Sequence, residues 1–412
     1  MLLFFGQRRG GSNYYAIDVT DRNSPQHLWT RGPAQLTGIG QSWSSPAIAR
    51  VSINGASQNS QKLVLIFAGG YDVTQDNYNY KTDTIGNSIY MVDALTGSLL
   101  WRASRAGADL NLSAMRHSIP SNVSVFDIND DTFADRMYVG DMGGLVFRFD
   151  IYSGSPVSSL VTGGVIANLG AYSLTAPAPL SDSRRLYNAP DVALMKRRGK
   201  STFFSIALGS GYRGHPLDDR TYDRFYAIRD YAPFAKLTQA QYDAITPITD
   251  ADLADITDDV TPTLADDVPG WKLELRLPGG WEGEKVLAES RTFNNSIFFP
   301  TYLPNQAAAA NACTPAAGSN RVYVISAFDG SPVIEQDGVI SDTDGDGDAD
   351  LTIEDRFSDL AQSGIAPETV MLFPGGGGGT DPVVCLNGAE VLGACTNFNS
   401  RVKTFWHETG AN

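Results

Sequence analysis

The chain is 412 residues long, 42% hydrophobic, with a formal net charge of −15. That acidity argues against a nucleic-acid or anionic-membrane surface and suits a soluble protein that holds divalent cations. No apolar run approaches the roughly 18 residues of a membrane span, and 41 Gly, 17 Tyr and 19 Phe favour strands and turns over helices.

The N-terminal "MLLFFGQRRGG" has no basic leader region, and its apolar run is too short for a signal peptide. It reads as a strand entered midway, as expected of the C-terminal part of a longer precursor. An aromatic-apolar strand, an Asp and a turn then recur as "YYAIDVTD" (14–21), "IYMVDALTG" (89–97), "FRFDIYSG" (147–154), "FYAIRDYA" (225–232) and "VYVISAFDG" (322–330). Each copy follows a strand that commonly ends in glycines, such as "LVLIFAGG". A third strand type with a proline, such as "SWSSPAIARV", lies further upstream. The pattern predicts an all-β fold: a β-propeller of four-stranded antiparallel blades with loop and short-helix insertions, one domain over 1–412. Four copies read as clear blades and one as weaker; the first lacks its innermost strand.

Asp18, Asp93 and Asp150 in these phrases are expected to hydrogen-bond turn amides. "MVDALTGSLLW" resembles the blade phrase of quinone-cofactor dehydrogenases, where it packs blades. An enzyme of that kind would need a separate cofactor-ligand set, which the sequence does not display, so a non-enzymatic protein is expected. Between the repeats, 231–270 places Thr238 and Thr249 ahead of helix formers and predicts two short helices. Residues 305–319 and 374–382 are low-complexity and predict mobile loops. "MKRRGK" (195–200) is the dense basic run, a solvated hairpin end or a contact patch.

Two acidic loops carry chemistry. Calcium wants six to eight oxygens, and compact loops supply them from positions 1, 3, 5, 7 (a backbone carbonyl) and 9. The loop 127–135 offers Asp127, Asn129, Asp131, the carbonyl of Phe133, and Asp135. Asp130 is off-pattern, and Thr132 stands where Gly is usual. The second loop offers Asp342, Asp344, Asp346, the carbonyl of Asp348, and Asp350, with Gly347 at position 6; a shifted register from Asp344 ends on Asp355. Carboxylates packed this closely repel one another without a cation, so Ca2+ is the expected cofactor. Cys385 and Cys395 bracket a short polar loop and are the disulfide candidate of an exported protein. Two free thiols, or another pairing that includes Cys313, stay open.

"RRGGSNYYAIDVTD", "QSWSSPAIARV", "IFAGGYD", "DINDDTFADRMYVGDMGGLVFRFD", "FFSIALGSGYR" and "RVKTFWHE" together resemble the C-terminal β-propeller domain of the PilC/PilY family, associated with the tips of bacterial type IV pili. The resemblance implies an exported, calcium-binding, non-enzymatic protein that supports pilus biogenesis against retraction and contributes to surface and host adhesion. It implies location at the outer surface or pilus tip, with the periplasm as a transit compartment. Pilin or minor pilins are the implied partners, with a host-surface receptor as another; no nucleic acid and no transmembrane segment are expected. The family's calcium loop falls on Asp127, Asn129, Asp131, Phe133 and Asp135. A periplasmic assembly scaffold and a quinoprotein-type dehydrogenase are the alternative readings.

Overall fold

The structure is a computed structural model that describes residues 1–77, 80–173, 176–277, 280–304, 317–339, 342, 350–372, 384–387 and 390–392. Six sheets follow one another along the described chain. The first has three strands: Leu2–Gly6, Tyr14–Asp18 and Gln26–Arg31. The second is the meander Ala47–Ser52, Gln61–Ala68, Ser88–Asp93 and Leu99–Ser104, with Leu110–Asn111 added in parallel at its edge. The third runs Ser124–Phe126, Arg136–Gly140, Leu145–Ile151 and Val161–Asn168. The fourth runs Asp191–Met195, Phe203–Gly209, Arg224–Asp230 and Gly270–Glu274. The fifth is built on Ser296–Leu303, Ser319–Ser326 and Phe357–Leu360, with Arg291–Phe293 and Lys285–Val286 both pairing Ser296–Leu303. Thr369–Leu372, Val384–Asn387 and Glu390–Leu392 form the sixth.

The radial order follows from what each strand buries. Side chains alternate across a strand, and the second strands are apolar on both faces, so each sheet needs a neighbour on either side. In Gln61–Ala68, Leu65 and Phe67 join Tyr14 and Trp29 of the first sheet, while Val64 and Ile66 join Met137 and Phe149 of the third. Phe204 and Ile206 meet Tyr138 and Val146 of the third sheet, whereas Phe203 and Ala207 share a core with Phe299 and Tyr323 of the fifth. Phe225, Phe299 and Tyr323 stack there with centroids 3.7 and 4.8 Å apart. Phe298, Val322 and Leu392 join the fifth sheet to the sixth. Truncating a fully buried aromatic such as Phe299 should cost about 3–5 kcal/mol.

The propeller expectation is borne out, with one sheet more than the five repeated phrases mark. The sixth lacks the strand–Asp–turn phrase, so nothing repetitive signals it. Asp93 behaves as read: its Oδ1 accepts from the N–H groups of Leu95 and Thr96 at 3.0 and 2.9 Å. The Thr96–Gly97 turn then meets Trp29, whose Nε1 donates to Ala94 O at 3.0 Å. A Cβ on Gly97 (φ +67°) would lie 2.7 Å from the Trp29 ring, so this joint requires glycine. Asp150 differs. It is fully buried and, instead of capping its own turn, accepts from Arg136 Nε at 2.7 Å, Arg148 Nη2 at 3.0 Å, Leu237 N at 2.8 Å and Tyr242 Oη at 2.7 Å.

Those partners explain the excursion at 231–269. Helix α1 (Gln239–Asp243) is one turn, with Thr238 Oγ1 accepting from Gln241 N; a 3-10 turn covers Asp250–Asp252. Between and after them, Ile248–Thr249 adds in parallel to the outer strand of the third sheet and Ala254–Asp255 to that of the fourth. The segment therefore leaves the fourth sheet, covers the edge of the third and returns, which protects two strand edges at once. No helix among the described residues is long and apolar enough to cross a membrane.

Candidate metal centres on one face of the propeller

In an antiparallel meander the first-to-second and third-to-fourth connections leave from the same end of the sheet. The loop 127–135, the excursion 231–269 and the segment 327–356 are all connections of this kind. Contacts join them: Lys236 of the excursion reaches Asp135, and Arg356 donates to the carbonyls of Thr257 and Asp259.

The loop 127–135 joins Ser124–Phe126 to Arg136–Gly140. Asp127, Asn129, Asp130 and Asp131 are exposed, and Asp135 is buried at its foot. The oxygens of Asp127 accept from Asp131 N at 3.3 Å and Thr132 N at 2.7 Å; Asn129 Oδ1 accepts from Asp131 N at 3.0 Å, and Asp131 Oδ1 from Phe133 N at 2.8 Å. Asp130 and Thr132 sit at φ +61° and +74°, where a non-glycine residue costs about 1–2 kcal/mol. Asp135 Oδ2 accepts from Ile128 N at 2.9 Å, while Oδ1 lies 2.5 Å from the Lys236 ammonium, which also donates to Ile151 O at 2.7 Å. All the side-chain donors are hard oxygens, the type calcium takes. They are drawn inward by loop amides, with Asp135 turned to an ammonium.

Among the described residues, the acidic group whose donor oxygens all lie within 4.8 Å of one another is Glu335, Asp337 and Asp355. Asp127, Asp131 and Asp135 do not close to that distance. Asp355 is fully buried: Oδ1 accepts from Gln336 N (2.7 Å) and Asp337 N (3.2 Å), and Oδ2 from Thr352 N (2.7 Å). Burial alone would raise its pKa, but these N–H groups more than offset that and hold it below the ordinary value. Glu335 goes the other way. Desolvation raises its pKa, with repulsion from Asp355 and Asp337 adding, although Gly338 N donates to it. Glu335 Oε2 is buried with no hydrogen-bond partner among the described residues, an orphaned acceptor that a cation would satisfy.

Sequence reasoning missed Glu335 and Asp337 and reached Asp355 only as the end of a shifted register. "EQDG" carries no alternating pattern, and the two halves of the trio are separated by the acid-rich stretch. Asp342 and Asp350 border that stretch, while Asp344, Asp346 and Asp348 lie outside the described residues. So do Cys313 and Cys395, the side chain of Cys385, residues 374–382 and most of 305–319.

Successive sheets that share a core at every interface define the β-propeller class. The particular likeness is to PilY1. A crystal structure of the Pseudomonas aeruginosa PilY1 C-terminal domain superposes with a TM-score of 0.65 at 16% identity, covering 95% of this chain and 80% of that one. In sequence the chain is 24% identical over 366 residues to the type IV pilus biogenesis factor PilY1 of P. aeruginosa. It is 25% identical over 354 residues to a PilY1 homolog of Xylella fastidiosa. It spans only 28% and 22% of those two relatives' lengths. No family model matches the chain. In sequence and in fold, the chain resembles the C-terminal β-propeller domain of the PilC/PilY proteins.

Proposed function

We propose that this propeller is a calcium-binding module of a type IV pilus-associated protein that supports pilus biogenesis and contributes to surface attachment. The observation that carries the reading is the placement of the loop 127–135. A D-x-N-x-D-x-x-x-D run joins the first two strands of a blade, inside a propeller with the fold of the PilY1 C-terminal domain. Asp127, Asn129, Asp131, Phe133 through its carbonyl, and Asp135 would hold one ion. Glu335, Asp337 and Asp355, flanking Asp342–Asp350, support a second. The chemistry calcium supplies is charge neutralisation, which lets an acidic loop order and present a fixed surface. Pilin subunits or a host-surface component are the partners this reading assigns, at an exported location on the outer surface.

Calcium titration calorimetry on the demetallated protein tests it, beside Asp127→Ala and Asp337→Asn. Two binding events, each lost with its own substitution, are expected. Absence of calcium heat together with an unchanged melting temperature would sink the reading. A bound quinone chromophore in purified protein would favour the dehydrogenase alternative instead.

A further inference from the structure

We infer that Lys236 is a built-in competitor for the cation of the loop 127–135, and that its release couples calcium occupancy to the docking of the excursion 231–243. The inference rests on the calcium reading of that loop. Asp135 cannot move as a residue, because its N–H donates to Phe126 O at 2.7 Å and its carbonyl accepts from Ile151 N at 2.8 Å. Its Oδ2 is held by Ile128 N–H. Only Oδ1 is left to turn to a ligand, and that is the oxygen 2.5 Å from Lys236 Nζ. One carboxylate oxygen thus faces two claimants, an ammonium and a divalent ion, and like charges at that range repel.

Lys236 lies in the middle of the excursion's anchor. On one side, Ala235 O accepts from Arg136 Nη2 and Arg148 Nη2, both at 2.5 Å; on the other, Leu237 N donates to Asp150. Thr162 Oγ1 donates to Leu237 O at 2.6 Å, and Tyr242 of α1 closes on Asp150. When a cation takes Asp135 Oδ1, Lys236 keeps only Ile151 O and the Tyr152 ring, 5.8 Å away. An ammonium left beside a divalent ion is driven outward, and the backbone it belongs to carries the anchor with it. Calcium binding at the third sheet therefore loosens a segment that belongs to the fourth.

The test uses the full chain, demetallated and titrated with calcium by calorimetry, with hydrogen exchange of 231–243 followed at each calcium concentration. In the unsubstituted protein, exchange across 231–243 rises as the loop fills. Lys236→Met binds calcium about tenfold more tightly, the scale of an outer-shell change, and its 231–243 exchange is raised before calcium is added. Lys236→Arg retains the competing charge and restores weaker binding. Asp127→Ala removes the binding event and keeps 231–243 protected at every calcium concentration. Unchanged or weaker affinity in Lys236→Met, or exchange that ignores calcium while the loop binds it, would overturn the inference and leave the calcium reading intact. No binding event that Asp127→Ala abolishes would overturn both.

Discussion

The two acidic regions on this face solve the same electrostatic problem by different means. In 127–135 the carboxylates stand in a short run of sequence, exposed but for the buried Asp135 and folded back on their own amides, with the Lys236 ammonium at the foot. In the trio, Glu335 and Asp337 meet Asp355 from across a long insertion, and the buried Asp355 is satisfied by amides while Glu335 keeps an orphaned oxygen. The first can be read along the chain because each donor sits a fixed step from the next. The second exists only after the two ends of an insertion have been brought together. The excursion 231–269 links them, clipped to Asp135 by Lys236 and to the second region by Arg356, which donates to Thr257 O at 3.1 Å and Gly330 O at 3.0 Å.

The largest expected effect separates the regions by removing what supports one and not the other. Asp150→Ala leaves the buried guanidiniums of Arg136 and Arg148 without their shared carboxylate. Asp230 still pairs Arg148 at 2.9 Å but is 3.8 Å from Arg136. Breaking a buried pair in this way costs about 3–5 kcal/mol, to be read by urea unfolding. The excursion and the first loop should be disturbed while calcium binding at the second region persists. Equal damage to both would show that the excursion transmits the change.

Next in size is the pair of ligand substitutions. Asp127→Ala should abolish the calcium event of the first loop, with the second event unchanged. Asp337→Asn should give the reverse.

The pH dependence sharpens the contrast within the trio. The depressed pKa of Asp355 contributes stability that is present above its unfolded value and lost as pH falls through the folded one. The raised pKa of Glu335 acts in the opposite sense: its contribution is present below the unfolded value and lost as pH rises through the folded one. In calcium-free buffer Glu335→Gln should therefore raise the melting temperature at neutral pH and not below about pH 4, near the ordinary carboxylate range. With calcium the sign should reverse at neutral pH, because the ion loses a ligand. A melting temperature that falls in both buffers would mean that Glu335 is a structural acceptor.

The smallest effect is confined to the excursion. Thr238→Ala removes the N-terminal cap of α1 and should cost about 1 kcal/mol locally, visible as faster hydrogen exchange at Gln241 and Tyr242.

Much of the architecture was legible because strand physics is local. Apolar residues on both faces of the second strands demand neighbours on both sides, and the Asp–turn phrase repeats wherever a third strand must end and reverse. The sixth sheet escaped because "VVCLNG" carries neither the Asp nor the aromatic pair. The donors of the first loop were equally visible, since calcium chemistry fixes residue type and spacing within a few bonds of backbone.

What only the tertiary structure decided was which charge meets which. Asp150 looks like Asp93 in sequence, yet burial beside Arg136 and Arg148 makes it the anchor of a distant segment. Lys236 is one lysine in an acidic excursion, and it becomes the counter-ion of Asp135 because that excursion folds back over the neighbouring sheet. Glu335 and Asp337 gain a partner in Asp355 only when an insertion closes. Short-range periodicity determines strands, turns and the chemistry of a compact loop; long-range charge pairing depends on separations in space that the order of residues does not encode.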